Sequence, residues 1–148
     1  GLRQNNEFAD KGVDLMRVTL HLSDVDVPVC SIACETEYIA AWKDCYRGVQ
    51  QMGSTDKTFI LSQSGHIAGI VNPPSKMKYG HYTNDDLNLE NEDWYASATF
   101  TQGSWWPRWE TWLRARSGNK VPARVPGESG YDVIMDAPGL YVMRRATD

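Results

Sequence analysis

The chain has 148 residues, of which 41% are hydrophobic and 23% are charged. This length suits one ordinary domain better than two, and this composition argues against disorder of the whole chain. The net charge is −4 and the lysines and arginines are scattered, which argues against a nucleic-acid-binding surface. No apolar run approaches the roughly 20 residues that a membrane span requires.

The first third of the chain contains alternating and continuous apolar segments. Residues 1–11 are polar, and we expect them to be frayed. Apolar residues alternate over 13–22, which predicts one or two antiparallel strands, and a turn follows at 23–26. The nearly continuous apolar run at 27–34 is typical of an inner strand that is covered on both faces.

A helical pattern follows, and then a second short strand. Apolar and aromatic side chains recur at helical spacing from Ile39 to Met52, and Gly53 can end this helix. Residues 58–61 are a second candidate for a buried strand. Strand, helix and strand in this order predict one βαβ unit of an α/β sheet.

The second half of the chain has weaker patterns. We expect a loop over 76–88 and a helix over 90–99, with acidic residues in the first turn of that helix. A second helix follows Ser104. We interpret 121–148 as an irregular tail that packs over the domain and ends in a short extended piece at 140–143.

The three cysteines are Cys30, Cys34 and Cys45. No second cysteine pair and no suitably spaced histidines accompany them, so the sequence indicates no metal site. We expect buried or partly buried thiols in a reducing compartment. None of the three lies in the glycine-flanked frame of a nucleophile elbow.

Polar side chains follow both strands of the predicted βαβ unit. Glu35 and Glu37 follow the first strand, and His66 follows the second. The carboxyl ends of parallel strands meet at one edge of a sheet, so a carboxylate and an imidazole can face each other there. A carboxylate that accepts from one ring nitrogen leaves the other nitrogen free to act as a base.

Simpler interpretations of these residues remain open. His66 can be a loop histidine that caps a short helix following it, and Glu37 can be an acid favoured at a helix N-terminus. His21 lies on the alternating segment and is expected to be exposed. His81 lies in the predicted loop and has no evident partner.

Four tryptophans occur close together before and within the last predicted helix. Trp105, Trp109 and Trp112 are spaced as one helical stripe, which more often anchors a helix than binds a ligand. Trp106 lies off this stripe and is the better candidate for a second contact.

Several segments resemble one enzyme family in order and approximate spacing. Residues 59–74, FILSQSGHIAGIVNPP, resemble the catalytic-histidine segment of polyhydroxyalkanoate synthases. Residues 24–28, 81–87, 103–113 and 137–142 resemble further blocks of that family. The chain is therefore similar to the C-terminal part of a synthase over most of its length.

This resemblance implies an α/β-hydrolase-like catalytic domain and an acyltransferase activity. The family polymerises (R)-3-hydroxyacyl groups from coenzyme A thioesters into polyester, with the growing chain on a cysteine. By resemblance, His66 is the general base that deprotonates this thiol, and Glu37 is the supporting acid. No metal or other cofactor is implied.

Two departures from the family pattern stand out. The acid loop of the family has Asp, His and Pro where this chain has Glu37, Tyr38 and Ala41, and only Ile39 and Trp42 are retained. The extra methylene of Glu37 can displace its carboxylate by about an ångström, a shift that can cost on the order of 100-fold in rate. The second departure is that the family's nucleophile elbow lies upstream and has no counterpart here.

A C-terminal fragment of a synthase, inactive alone, explains these departures most simply, and Gly rather than Met at residue 1 agrees with it. A degenerate or partial gene is the alternative. Two rival functions stay open: a non-catalytic module for granule association or dimerisation that uses the tryptophan face, and an ester hydrolase of related fold.

The implied partners are an (R)-3-hydroxyacyl-CoA substrate and the growing polyester, with neither nucleic acid nor a membrane span. A homodimer of the full-length protein and a location at polymer granules in the cytoplasm are further expectations. Lys76 and Lys78 can meet the phosphates of coenzyme A, although solvated loop lysines are the simpler interpretation.

Overall fold

A computed structural model describes residues 7–128 and 130–147. The chain divides into two compact units, Gly1–Arg116 and Ser117–Asp148. The helices of the first unit are α1 (Glu7–Asp10), α2 (Trp42–Gln51), α3 (Asn91–Ser97) and α4 (Trp106–Arg114). Its strands are β1 (Val13–Leu15), β2 (Val18–Leu20), β3 (Val29–Cys34), β4 (Lys57–Ser62), β5 (His81–Thr83) and β6 (Thr99–Thr101).

The alternating segment near the N-terminus forms a hairpin. Strands β1 and β2 pair antiparallel, with Val13 opposite Leu20. Met16 and Arg17 connect them with φ values of 51° and 70°, as a two-residue hairpin turn requires. Of the segment expected to be frayed, residues 1–6 lie outside the described residues and Glu7–Asp10 forms helix α1.

The predicted βαβ unit is confirmed and makes the chain a mixed α/β protein. Strands β3 and β4 pair in parallel over six residues, from Val29 opposite Lys57 to Cys34 opposite Ser62. Helix α2 connects them. It begins at Trp42, three residues later than the start that Ile39 predicted, and Ile39 is 69% exposed. Residues 37–41 instead form the loop that carries Glu37.

The sheet continues with two strands that the sequence did not predict. The strand order is β3-β4-β5-β6, and β5 pairs antiparallel with both β4 and β6. Each of β5 and β6 has only three residues, too few for apolar alternation to show. The prediction of a loop throughout 76–88 is therefore wrong at β5.

An aromatic core joins helices α2 and α3 to the sheet. Tyr46 of α2, Phe59 of β4 and Trp94 of α3 are almost completely buried. Their ring centroids lie 5.2–5.4 Å apart in edge-on or tilted arrangements, which aromatic pairs favour. This core fixes α2 over β3 and β4, and thereby fixes the loops at their carboxyl ends.

The second unit has little regular structure in its described residues. Its one regular element there is a 3₁₀ turn at Tyr141–Met143, where the sequence predicted an extended piece. The amide of Met143 donates to the carbonyl of Leu140 at 3.2 Å, so local hydrogen bonds replace strand pairing. Among the residues that the structure describes, no helix has the length and apolar character needed to cross a bilayer.

Candidate active site

The loops that follow β3 and β4 run side by side beyond the sheet. The amide of Glu35 donates to the carbonyl of Ser62 at 2.8 Å, and the amide of Thr36 donates to the carbonyl of Ser64 at 3.2 Å. Ser64 has a φ of 71°, so this turn adopts a conformation that is uncommon for residues other than glycine. The backbone therefore brings the Glu37 loop and the His66 loop together.

Glu37 and His66 are in direct contact. The Nδ1 atom of His66 donates to Oε2 of Glu37, and the amide of His66 donates to the same oxygen at 3.1 Å. Oε1 of Glu37 accepts from the amide of Ile39 at 2.7 Å. Both carboxylate oxygens are thus held, and the extra methylene of the glutamate does not prevent the contact.

The protonation of this pair follows from its hydrogen bonds. The Ile39 amide, followed by His66, lowers the pKa of Glu37 against the opposing effect of burial, so the carboxylate is the favoured form. A carboxylate only accepts hydrogen bonds, so Nδ1 of His66 carries the proton. In the neutral imidazole, the other ring nitrogen, Nε2, is then the free base.

The carboxylate of the pair is buried and the imidazole is partly exposed, as expected for an acid that supports an accessible base. The Glu37 side chain is 7% exposed, whereas the His66 side chain is 48% exposed. Within residues 7–128 and 130–147, Nε2 of His66 has no hydrogen-bond partner. Because nearly half of the His66 side chain is exposed, a proton donor from outside this unit can reach the ring.

Glu35, the alternative acid, has a different partner. Its Oε1 accepts from the hydroxyl of Tyr95 in α3 at 2.5 Å, and this bond is the main cause of the raised pKa of Tyr95. The two glutamates of one loop therefore serve separate contacts, and only Glu37 touches His66.

A cavity of about 310 Å³ lies beside the Glu37–His66 pair. Its wall is mostly apolar and consists of Ile32, Ala33, Cys34, Ile39, Ala40, Cys45 and Ile70 together with the pair itself. Two of the three free cysteines thus lie near His66. Burial raises the pKa of both Cys34 and Cys45, which disfavours the reactive thiolate.

Side-chain hydrogen bonds hold the turn after His66. The Ser62 hydroxyl and Nε1 of Trp105 both donate to the carbonyl of Gly69 at 2.9 Å, and Nε1 of Trp106 donates to the carbonyl of Ile70 at 2.9 Å. The sequence singled out Trp106 for a second contact but did not identify Gly69, Ile70 or Trp105 as parts of this site. The adjacent backbone carbonyls of Gly69 and Ile70 that accept these bonds leave no sequence pattern.

The remaining predicted residues lie apart from the pair. His81 is buried on β5, where its Nδ1 donates to the carbonyl of Gly103 at 3.0 Å, and His21 is exposed after β2. Lys76 and Lys78 are exposed, and Nζ of Lys78 lies 5.0 Å from the ring centroid of Tyr79. No cluster of three metal-ligating side chains occurs in the described parts of the chain.

The fold and the pair define an α/β unit with a carboxylate-supported histidine at the carboxyl edge of parallel strands. The chain is similar to poly(3-hydroxyalkanoate) polymerase subunits of Rhizobium etli (40% identity over 85% of the chain) and Cupriavidus necator (38% over 87%). It is also similar to a poly(3-hydroxyalkanoate) polymerase of Methylorubrum extorquens (40% over 96%). No family model matches the chain.

The chain is a part-length relative of these polymerases. It spans only 20% of the Rhizobium protein, 22% of the Cupriavidus protein and 24% of the Methylorubrum protein. The similarity confirms the resemblance to part of a polyhydroxyalkanoate synthase on which the sequence interpretation depended.

Proposed function

We propose that this chain is the C-terminal part of a polyhydroxyalkanoate synthase, an acyltransferase that polymerises (R)-3-hydroxyacyl groups and releases coenzyme A. The single observation that supports this most is the contact between Glu37 and Nδ1 of His66, which leaves Nε2 of this partly exposed ring without a hydrogen-bond partner among the described residues. The similarity to polymerases of about four times its length supplies the reaction class.

In this proposal His66 is the general base. Nε2 takes the proton of a cysteine thiol, the thiolate attacks the thioester carbonyl, and the coenzyme A thiolate leaves and recovers the proton. Glu37 keeps the proton on Nδ1 and stabilises the imidazolium that forms. We place the attacking cysteine outside this chain, since none of Cys30, Cys34 and Cys45 lies in the glycine-flanked frame of a nucleophile elbow. Burial, which raises the pKa of all three thiols, agrees with this.

The same proposal includes the arrangement of the complete domain. The parallel β3–α2–β4 unit carries the acid after one strand and the histidine after the next, the order in which α/β-hydrolase-like domains carry them. An (R)-3-hydroxyacyl-CoA and the growing polyester are its ligands. Association with polymer granules and a homodimer belong to this proposal as well.

The test uses the full-length product of the gene that contains this segment. His66→Ala is expected to lower the rate of coenzyme A release from (R)-3-hydroxybutyryl-CoA by about 10²–10⁴-fold, the range that general base catalysis supplies. Undiminished polymerisation by the His66→Ala variant would remove His66 from the mechanism.

A matched pair of glutamate variants tests the role of the acid. Glu37→Gln removes the charge beside Nδ1 and is expected to lower turnover by about 10²-fold or more. Glu35→Gln changes a residue of the same loop that contacts Tyr95 instead, so it is expected to retain most of the activity. The reverse order of effects would assign the acid to Glu35.

A further inference from the structure

Two backbone hydrogen bonds hold the turn over residues 65–71 together. The amide of Gly69 donates to the carbonyl of Gly65 at 2.8 Å, and the amide of Val71 donates to the carbonyl of Ile67 at 2.8 Å. A Cβ atom on Gly69 would lie 2.6 Å from the Gln63 carbonyl oxygen and 2.9 Å from both Sγ of Cys34 and the Gly65 carbonyl oxygen. The backbone of Gly69 is therefore both hydrogen-bonded to and closely packed against Gly65, the residue that precedes His66.

Two adjacent tryptophans hold this turn through their ring nitrogens. Trp105 precedes α4 and Trp106 begins it, and their Nε1 atoms donate to the successive carbonyls of Gly69 and Ile70. Gly69 and Trp105 are both buried, so water does not compete well for this bond.

The other two tryptophans of α4 make no such bond. Trp109 is 39% exposed, and Nε1 of Trp112 is buried without a hydrogen-bond partner among the described residues. Burial of ring area anchors a helix with or without a ring N–H group. The hydrogen bonds from the N–H groups of Trp105 and Trp106 are thus not needed to anchor the helix.

We propose that Trp105 and Trp106 are positioning residues for His66. Their two indole N–H groups hold the carbonyls of Gly69 and Ile70, and the turn keeps the His66 ring against Glu37. The consequence for catalysis rests on the function proposed above, whereas the positioning itself concerns only this chain.

The experiment removes one N–H group at a time and keeps an aromatic ring. Trp105→Phe and Trp106→Phe are compared with Trp112→Phe, a control that removes an N–H group without a partner. The ¹⁵N shifts of the His66 ring in the labelled chain report the ratio of the Nδ1–H tautomer to the Nε2–H tautomer. Circular dichroism establishes that each variant is folded.

We expect the tautomer ratio to fall severalfold in Trp105→Phe and Trp106→Phe, with about tenfold, the effect of one lost hydrogen bond, as the upper bound, and to stay unchanged in Trp112→Phe. An unchanged ratio in folded Trp106→Phe overturns the proposal, and so does an equal change in all three variants. Trp106 is only partly buried, so Trp106→Phe is expected to fold even if Trp105→Phe does not. The tautomer ratio in Trp106→Phe then tests the positioning role by itself.

Activity of the full-length protein separates this inference from the proposed function. If Trp106→Phe lowers kcat with little change in KM while Trp112→Phe does not, the positioning role extends to catalysis. If His66→Ala leaves polymerisation intact, the proposed function fails, yet the tautomer ratio still decides the positioning role. If His66→Ala abolishes activity but the ratio is unchanged in Trp106→Phe, only the positioning role fails.

Discussion

At the scale of single residues, the surroundings of each ionisable group decide its protonation. The carboxylate of Glu37 is stabilised by the Ile39 amide and by His66, which lowers its pKa. Tyr46 of the core is buried and donates its hydroxyl to the Leu89 carbonyl at 2.9 Å, and burial raises its pKa to about 12. His81, buried on β5, is a residue whose protonation is expected to affect stability near neutral pH.

Burial of His81, with a smaller effect of Arg108, lowers its pKa in the folded chain against the opposing Gly103 bond. The unfolded chain therefore binds a proton at His81 first as the pH falls below about 6.5. We expect the free energy of unfolding to decrease through this range, and to decrease less in His81→Gln. Urea denaturation at a series of pH values measures both curves, and parallel curves would contradict the prediction.

At the scale of secondary-structure elements, helix α2 holds the loop of the acid in place. Trp42, Tyr46 and Val49 form its buried face, and Lys57 secures its end by donating from Nζ to the carbonyls of Gln50 and Met52 at 3.1 and 2.9 Å. Two glycines in and after this helix have opposite surroundings. Gly48 has open space where a Cβ would lie, whereas a Cβ on Gly53 would lie 2.1 Å from the Ser23 carbonyl oxygen.

This contrast predicts opposite effects of one substitution. Gly48→Ala is expected to stabilise the chain by about 0.5–1 kcal/mol, because alanine costs less conformational entropy in a helix. Gly53→Ala is expected to destabilise it by about 1–3 kcal/mol, because the backbone of Ser23 must move. Thermal unfolding of both variants tests the pair, and a lower Tm for Gly48→Ala would be inconsistent with the structure.

At the scale of the whole molecule, the first unit depends on one aromatic core beneath a sheet with an open edge. Strand β3 pairs only with β4 among the described residues, so its other edge is free to pair with a further strand. Trp94 links α3 to this core and donates from Nε1 to the carbonyl of Asn84 at 3.2 Å.

Truncation of the core should affect the entire first unit. Trp94→Ala is expected to lower the free energy of unfolding by about 3–5 kcal/mol, as large-to-small changes of buried aromatics do. Trp109→Ala, at an exposed position of α4, serves as the control and is expected to cost much less. Chemical denaturation of both variants measures the difference, and equal losses would contradict the assignment of the core.

The sequence by itself determined the elements whose signals are local. Apolar runs and helical spacing predicted β3, α2 and β4, and their order placed Glu37 and His66 at one edge of the sheet. Local signals suffice there because a parallel βαβ unit has only one common handedness and because each residue follows its strand directly.

Only the tertiary structure decided the remainder. Strands β5 and β6 pair through residues that are far apart in the chain. Glu35 and Glu37 also have distant and different partners, Tyr95 and His66. The bonds from Trp105 and Trp106 to the turn after His66 span 36 positions each. Backbone carbonyls are common to every residue, so no sequence pattern marks which of them an indole N–H group will reach. Packing of the folded chain makes that choice.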